Sequence, residues 1–129
     1  HETKLFHIQK CIIQSGIGMK PHADVSVVLK NQIFTSSASG DGGYDAFMIA
    51  LKDILEKQNI NIPALIDYEV RIPPGGKTDA LVETVITWYS PKEKPLRTNG
   101  VDSDQQVAAI KATEKMVNLI LSEPPWNPS

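Results

Sequence analysis

Residues 4–14 are rich in branched side chains, and polar and apolar residues alternate over residues 23–30, as they do in half-buried β-strands. In the second of these stretches, Val25, Val27 and Leu29 occupy one face. A turn is expected at Asn31 and Gln32, where the apolar pattern is interrupted. The pattern therefore predicts three consecutive strands, over residues 4–14, 23–30 and 33–39.

The period then changes from two to about 3.6 residues, which is typical of an amphipathic helix. A glycine-rich loop precedes this segment, and Pro63 follows it as a stop signal. A helix is therefore predicted over residues 44–58. Its buried stripe consists of Phe47, Ala50, Leu51, Ile54 and Leu55.

The second half of the chain repeats this plan, with strands expected over residues 65–72, 79–90 and 95–100. Alternation in the first of these strands predicts that its apolar side chains face the core and its charged ones do not. The inward set is Ile66, Tyr68, Val70 and Ile72, and the outward set is Asp67, Glu69 and Arg71. The next strand has Val82, Ile86 and Trp88 on one face.

A second helix is predicted over residues 103–121. Ser103 and Gln106 have the spacing of a capping box, in which each side chain binds a backbone N–H group near the helix start. The predicted buried face of this helix consists of Ile110, Thr113, Val117, Ile120 and Leu121.

The order strand-strand-strand-helix thus occurs twice, over about residues 4–60 and 64–121, and Gly40 and Gly100 hold matching places 60 residues apart. One such unit cannot cover both its helix and its sheet face, whereas two units can share a core. We predict an α+β fold of duplicated βββα units with pseudo-twofold symmetry, in which two helices pack on β-sheet.

Composition narrows the classes of function. The 129 residues suit one domain, and the formal charge of −2 provides no basic surface for nucleic acid or an anionic membrane. No apolar run approaches the ~20 residues of a membrane helix. The only cysteine, Cys11, excludes a disulfide framework and is consistent with a reducing cytoplasm. Because the chain begins at His1 and not at a methionine, we expect either a domain cut from a larger protein or a leftover tag residue.

The loop before the first helix contains three glycines and an acid, Gly40, Asp41, Gly42 and Gly43, and Asp45 follows. A helix N-terminus presents unpaired N–H groups and positive dipole charge, which suit a carboxylate. Glycine lets a ligand approach the backbone closely, and the acids suit an ammonium group. A free amino acid carries both charges and would fit this loop. The alternative is a plain strand-to-helix turn with Asp41 as the N-cap.

The loop before the second helix repeats this theme with Gly100, Asp102, Ser103 and Asp104. The same two interpretations apply to it, and Ser103 is a plausible cap. A duplicated fold also copies its turns, so the recurrence favours a ligand only modestly.

Other motifs indicate neither catalysis nor metal binding. PPGGKT at residues 73–78 resembles a phosphate loop, but Arg71 stands where that motif needs its first glycine. His7 and His22 lack the spacing of a metal pair and are expected on strands. No Ser-His-Asp set is evident from the spacing. We therefore predict no catalytic residue, no metal site and no cofactor in this domain.

Three segments together resemble the C-terminal regulatory domain of 2-isopropylmalate synthase and citramalate synthase. They are GDGGYDAFMIAL at residues 40–51, DYEVRI…GGKTDALVETVITW at 67–88 and RTNGVDSDQQVAAIKATEKMVNLI at 97–120. The resemblance covers about residues 5–121 in order. Two departures occur: Gly43 and Tyr44 replace the usual Pro-Val, and DQQVAA lacks the Ala-Ser typical of the last helix.

The resemblance implies a duplicated βββα domain that forms a homodimer and binds the pathway's end-product amino acid near the dimer interface. Binding would lower the activity of a catalytic barrel on the same chain, whose metal motif is absent here. The implied effector is leucine, or isoleucine if the parent acetyl-CoA-dependent enzyme is a citramalate synthase. Its carboxylate is expected at Gly40 to Tyr44 or Gly100 to Ser103, its ammonium group at Asp41 or Asp102, and its side chain in a pocket near Tyr44 and Ala46.

Two other functions stay open on the sequence. The domain could serve dimerisation only, with the ring of Tyr44 filling the former effector pocket. It could also be a small enzyme that uses Asp41 and Asp102 as acid and base.

Overall fold

A computed structural model describes residues 5–73, 80–90 and 94–122. Some predicted features lie outside these residues: most of the PPGGKT motif and the first residue of each of the strands predicted from residues 4 and 79. The elements follow the predicted order. They are β1 (Phe6–Gly16), β2 (Met19–Leu29), β3 (Gln32–Ser39), α1 (Gly43–Lys57), β4 (Leu65–Arg71), β5 (Val82–Trp88), β6 (Leu96–Asp102) and α2 (Gln105–Ser122).

The α+β class and the duplicated βββα plan are confirmed. Each half of the chain forms an antiparallel three-stranded sheet in sequential order, β1-β2-β3 and β4-β5-β6, followed by one helix. The chain divides into two compact units, His1–Ile62 and Pro63–Ser129. Neither helix in the described part of the chain is long and apolar enough to cross a membrane.

In the first unit, α1 packs across β2 and β3 and also touches β1. The predicted strand face is buried, as Val25, Val27 and Leu29 show. The whole predicted helix stripe, from Phe47 to Leu55, is buried against that face. Alternation and helical period together therefore identified this core correctly.

The turn between β2 and β3 lies one residue earlier than predicted. Lys30 and Asn31 both have positive φ, of 51° and 68°, and Leu29 pairs with Gln32. Two positive φ values are what a tight two-residue hairpin of type I′ requires, and asparagine tolerates that conformation well. Gln32 is thus the first residue of β3 and not a turn residue.

In the second unit, α2 packs on β5 and β6. Trp88 is fully buried and donates from Nε1 to the Thr98 hydroxyl at 2.9 Å, and Thr98 donates to the Ala112 carbonyl oxygen at 2.8 Å. This chain of hydrogen bonds ties both strands to the helix. The polar ends of the indole and of the threonine are thereby satisfied inside the core.

Two predictions about burial in this unit are wrong. On β4, Ile66, Val70 and Ile72 are exposed and Tyr68 is only half-buried, because α2 lies over the two other strands. On α2, the prediction of Ile110 and Leu121 as buried residues fails. Thr113, Val117 and Ile120 are buried as predicted, but the rest of the contact face consists of Ala108, Ala109, Ala112 and Met116.

Candidate functional site

The end of β3 lies directly against the first turn of α1. The amide of Gly40 donates to the Pro21 carbonyl oxygen at 3.0 Å, which holds β3 beside β2 at this point. A Cβ atom on Gly40 would lie 2.6 Å from Asp45 Oδ2 and 2.7 Å from the Ala46 amide nitrogen. Glycine at this position is therefore required by the close approach of the helix backbone, whether or not a ligand binds.

The N-cap residue of α1 supplies no side-chain acceptor. It is Gly42, which has an extended φ of −144° and makes no side-chain cap hydrogen bond. The prediction of Asp41 as the N-cap is wrong, since the contact runs the other way: Asp45 Oδ2 accepts from the Asp41 amide at 2.9 Å. The positive end of this helix thus lacks an acceptor from its N-cap residue.

The other predicted residues of this first site lie in different environments. The Asp41 side chain is 93% exposed, and it forms an ion pair with Lys20 Nζ at 3.8 Å. Ala46 is fully buried under the helix, so it cannot line an open pocket. Tyr44 is half-buried, with its ring centroid 5.8 Å from that of Phe47. Asp41 therefore presents a carboxylate to solvent beside an uncapped helix end.

At the second helix start, α2 caps itself. Asp104 Oδ1 accepts from the amides of Gln106 at 2.7 Å and Val107 at 3.1 Å. The predicted capping box of Ser103 and Gln106 is therefore wrong: the helix begins at Gln105, and Asp104 is its N-cap. A carboxylate of the chain already occupies the place that an effector carboxylate would take.

The neighbouring acid is also engaged. Asp102 accepts from the Asp104 amide at 2.9 Å and from Lys111 Nζ at 3.0 Å, and Lys111 also donates to the Val101 carbonyl oxygen at 3.1 Å. The hydrogen bond from the Asp104 amide, followed by that from Lys111, lowers the pKa of Asp102. A carboxyl held in its ionised form does not suit the role of a general acid.

Gly100 belongs to a strand and not to the loop. It lies within β6, paired with Thr84 of β5. A Cβ atom on it would lie 2.1 Å from the Ala108 carbonyl oxygen and 2.8 Å from the Ala112 amide nitrogen. The helix backbone fills the space that a ligand would need on this side of Gly100. Of the two helix starts, that of α1 is the one whose N-cap residue offers no side-chain acceptor to the first-turn amides.

A polar cluster that the sequence did not reveal lies beside this α1 start. The antiparallel register places His22 opposite Ser39 and Asp24 opposite Ser37. His22 Nδ1 is 3.0 Å from Ser39 Oγ, His22 Nε2 is 3.4 Å from Asp24 Oδ1, and Ser37 donates to Asp24. The Ser37 hydroxyl is the main cause of the lowered pKa of Asp24. Reading the two strands as a hairpin, with residues paired across it, would have found this cluster.

The cluster reinforces the contact between β2 and β3 just before Gly40. It lies on an exposed part of the sheet and not in a cleft, which favours a structural role over nucleophilic catalysis. Among the residues that the structure describes, no group of three or more His, Cys, Asp or Glu side chains could hold a metal ion.

Comparison with known proteins gives a consistent result. The family model described as the LeuA allosteric (dimerisation) domain matches residues 1–121. A protein of Methanosphaerula palustris assigned as an (R)-citramalate synthase is 30% identical over 114 residues, covering 88% of this chain and 22% of that protein.

Two relatives are 2-isopropylmalate synthases, each 30% identical over 120 residues. The match to the Methylococcus capsulatus protein covers 93% of this chain and 22% of that protein. The match to the Aquifex aeolicus protein covers 92% of this chain and 21% of that protein. The chain spans about a fifth of the length of these relatives. With nearly its whole length matched by the family model, the chain belongs to the LeuA allosteric (dimerisation) domain family.

Proposed function

We propose that this chain is the amino-acid-sensing and homodimerising domain of a 2-isopropylmalate synthase-like enzyme, with leucine as its feedback effector. The parent enzyme is then an acetyl-CoA-dependent acyltransferase of branched-chain amino acid biosynthesis in the cytoplasm, and its catalytic barrel is the part of the chain that the domain regulates. The domain itself contributes no catalytic residue and needs no cofactor. Family membership and the names of the relatives support this proposal.

The observation that carries the sensing function is the uncapped N-terminus of α1. In the proposed complex the effector carboxylate accepts from the amides that follow Gly42, and each such charge-assisted hydrogen bond contributes about 1.5–3 kcal/mol. The ammonium group binds the exposed carboxylate of Asp41. Burial of a leucine side chain adds about 1.5–3 kcal/mol. These terms together are sufficient for a metabolite affinity.

Feedback requires that leucine bind one arrangement of the parent enzyme better than another. Coupling of about 1–3 kcal/mol is typical of such regulation. The effector therefore needs to contact groups whose positions differ between the two arrangements, and a loop at a helix start meets this requirement more readily than a buried strand.

Isoleucine sensing in a citramalate synthase is the second candidate. It is supported by the relative assigned as an (R)-citramalate synthase, which is as similar to this chain as the two 2-isopropylmalate synthases are. The two effectors have the same number of carbon atoms and differ only in where the side chain branches. A difference of this kind changes affinity through pocket shape, so it has to be measured.

Isothermal titration calorimetry of the 129-residue chain with leucine, isoleucine and valine tests the proposal. Leucine is expected to bind about fourfold more tightly than valine, which has one methylene less, worth about 0.8 kcal/mol. Tighter binding of isoleucine than of leucine would identify the second candidate. A folded dimer that binds none of the three would leave dimerisation as the only function, with Tyr44 stacked on Phe47 in place of an effector.

A matched pair of variants tests the location of the site. Gly42→Val adds a branched side chain at the start of α1, where a Cβ atom meets nothing within 4 Å and the backbone is extended, so the fold is preserved. We expect it to weaken effector binding at least 10-fold by blocking the first-turn amides. Ser103→Val makes the same kind of change at the exposed start of α2 and is expected to leave affinity within twofold. The opposite pattern would place the effector at α2.

A further inference from the structure

The outer strand of the second unit carries a row of exposed aliphatic side chains. Their exposed fractions lie between 39% and 74%. We call this row the β4 strip, and it consists of Leu65, Ile66 and Val70 of β4 together with Ile72, which directly follows the strand. Most single exposed apolar residues need no explanation, but four within eight positions form a patch.

The β4 strip is exposed because of where α2 lies. Leu65 pairs with Trp88, and Val70 pairs with Thr84, so each pair shares one rung of the sheet. Trp88 and Thr84 are fully buried under α2, whereas their partners on β4 are exposed. The helix covers β5 and β6 and leaves the same side of β4 uncovered.

The first unit shows that an uncovered outer strand is not a general property of this βββα plan. There α1 reaches β1 as well as β2 and β3. Phe6 of β1 pairs with Leu29 and is fully buried like its partner. The two units share one topology but differ in how far the helix extends over the outer strand.

Edge strands that present aliphatic side chains are liable to pair with other chains unless something covers them. On β4 the intervening positions are charged, with Asp67, Glu69 and Arg71 alternating with the apolar ones. Of these, Arg71 is held by Glu83 through Nε at 3.0 Å. The strand thus has one polar face that suits water and one apolar face that suits a protein surface.

We infer that the β4 strip is the contact through which two copies of this chain associate, strip against strip about a twofold axis. The second copy is the occupant because the family to which the chain belongs is described as a dimerisation domain. A twofold axis brings the same patch of both copies together, so four aliphatic side chains meet four others. This yields the apolar centre that is typical of homodimer interfaces.

The inference rests on the proposed homodimerisation, so the first measurement tests that alone. Sedimentation equilibrium of the unmodified chain gives its dimer dissociation constant. A chain that stays monomeric at high micromolar concentration overturns both the proposed dimerisation and the role of the strip. A dimer that forms without using the strip overturns only the present inference.

Substitutions distinguish these cases. Val70→Lys places a charge in the strip, and Ile33→Lys places one at an exposed residue of β3 outside it, where the side chain is 61% exposed. We expect Val70→Lys to raise the dimer dissociation constant about 10- to 100-fold, the range that corresponds to loss of one buried aliphatic side chain. Ile33→Lys is expected to change it less than threefold. Equal effects of the two substitutions would overturn the inference.

Thiol labelling of the Val70→Cys chain provides a second measurement, which does not require the fold to tolerate a charged side chain at position 70. The native thiol interferes little, because burial and then the Asp24 carboxylate raise the pKa of Cys11 to about 11. Labelling of Cys at position 70 should slow at least 10-fold as protein concentration rises through the dimer dissociation constant. Fast labelling at every concentration, or slow labelling of the monomer, would mean that no second copy covers the strip and would overturn the inference.

Discussion

Substitution of Gly100 by alanine tests whether the approach of helix to sheet in the second unit is as close as the structure shows. The added methyl group would lie 2.1 Å from the Ala108 carbonyl oxygen and 2.8 Å from the Ala112 amide nitrogen. Both are backbone atoms of α2, so no side-chain rotation relieves the clash. Contacts of this kind need about 3.5 Å, so the helix must retreat from β6 by roughly 1 Å.

The cost follows from what the retreat disrupts. Overpacking of a dense core costs about 1–3 kcal/mol. Movement of α2 also stretches the hydrogen bond from Thr98 to the Ala112 carbonyl oxygen, which is 2.8 Å long and buried, and this loss adds about 1 kcal/mol. We expect Gly100→Ala to lower the free energy of unfolding by about 2–4 kcal/mol in total.

Urea unfolding, followed by circular dichroism at 222 nm and by tryptophan fluorescence, measures this change. Gly16→Ala is the matched control, because its methyl group would meet only the flexible Met19 side chain, at 3.7 Å. The control is expected to unfold within about 0.5 kcal/mol of the unmodified chain. A Gly100→Ala chain that also stayed within that margin would refute the close approach and, with it, the conclusion that Gly100 is closed to a ligand.

Three further predictions concern the second unit. Asp104→Ala should lower the free energy of unfolding, measured by urea titration, by about 1 kcal/mol, because α2 loses its cap. Ser103→Ala should have almost no effect. A larger loss for Ser103→Ala than for Asp104→Ala would restore the capping-box interpretation. Hydrogen bonds from Asn99 and Arg71 lower the pKa of Glu83 below its usual 4.5. The stability that Glu83 contributes is therefore complete above pH 4.5 and is lost as the pH falls through the lowered pKa. Glu83→Gln should flatten the acid limb of a curve of unfolding free energy against pH, and an unchanged limb would contradict this. Thr84→Val should raise the free energy of unfolding by about 1 kcal/mol, because the buried Thr84 hydroxyl has no hydrogen-bond partner among the described residues. Thr98→Val should lower the free energy of unfolding, because the Thr98 hydroxyl accepts from Trp88 and donates to Ala112. Equal effects would contradict this assignment.

Much of the fold was predictable because the periods of two and of about 3.6 residues are physical consequences of strand and helix geometry. The order of elements, the face of β2 and the stripe of α1 all followed from those periods. The exposure of the apolar side chains of β4 did not follow from those periods. Alternation shows which side chains share a face, but it does not show whether a helix reaches far enough to cover that face.

The face of α2 illustrates a second limit. Large apolar residues such as Ile110 and Leu121 dominate any sequence estimate of a buried stripe, yet three of the seven buried residues of α2 are alanines. The reason lies in Gly100, which lets the helix backbone approach so closely that only small side chains fit between them. Which residues of α2 are buried therefore depends on a contact between residues far apart along the chain, and helical periodicity alone contains no information about that contact.

Both caps were misassigned for a related reason. Ser103 and Asp104 are adjacent acceptors, and a shift of the helix start by one residue decides which of them caps α2. At α1, Asp41 was predicted as the cap, but its amide is the donor to Asp45. Composition shows that a loop contains capping residues, while the direction of each hydrogen bond depends on the backbone path.

The two helix starts show why glycine alone is a weak indicator of a binding site in a duplicated fold. Gly40 and Gly100 both lie where a helix backbone leaves no room for a Cβ atom, so packing accounts for both of them. What distinguishes the starts is the state of the helix amides. At α2 the Asp104 carboxylate already accepts from them, at 2.7 Å from the Gln106 amide nitrogen, and a free amino acid would have to displace it. At α1 the N-cap residue, Gly42, has no side chain that could do so. Packing therefore explains both glycines, and the two helix starts differ in whether the N-cap residue accepts from the first-turn amides.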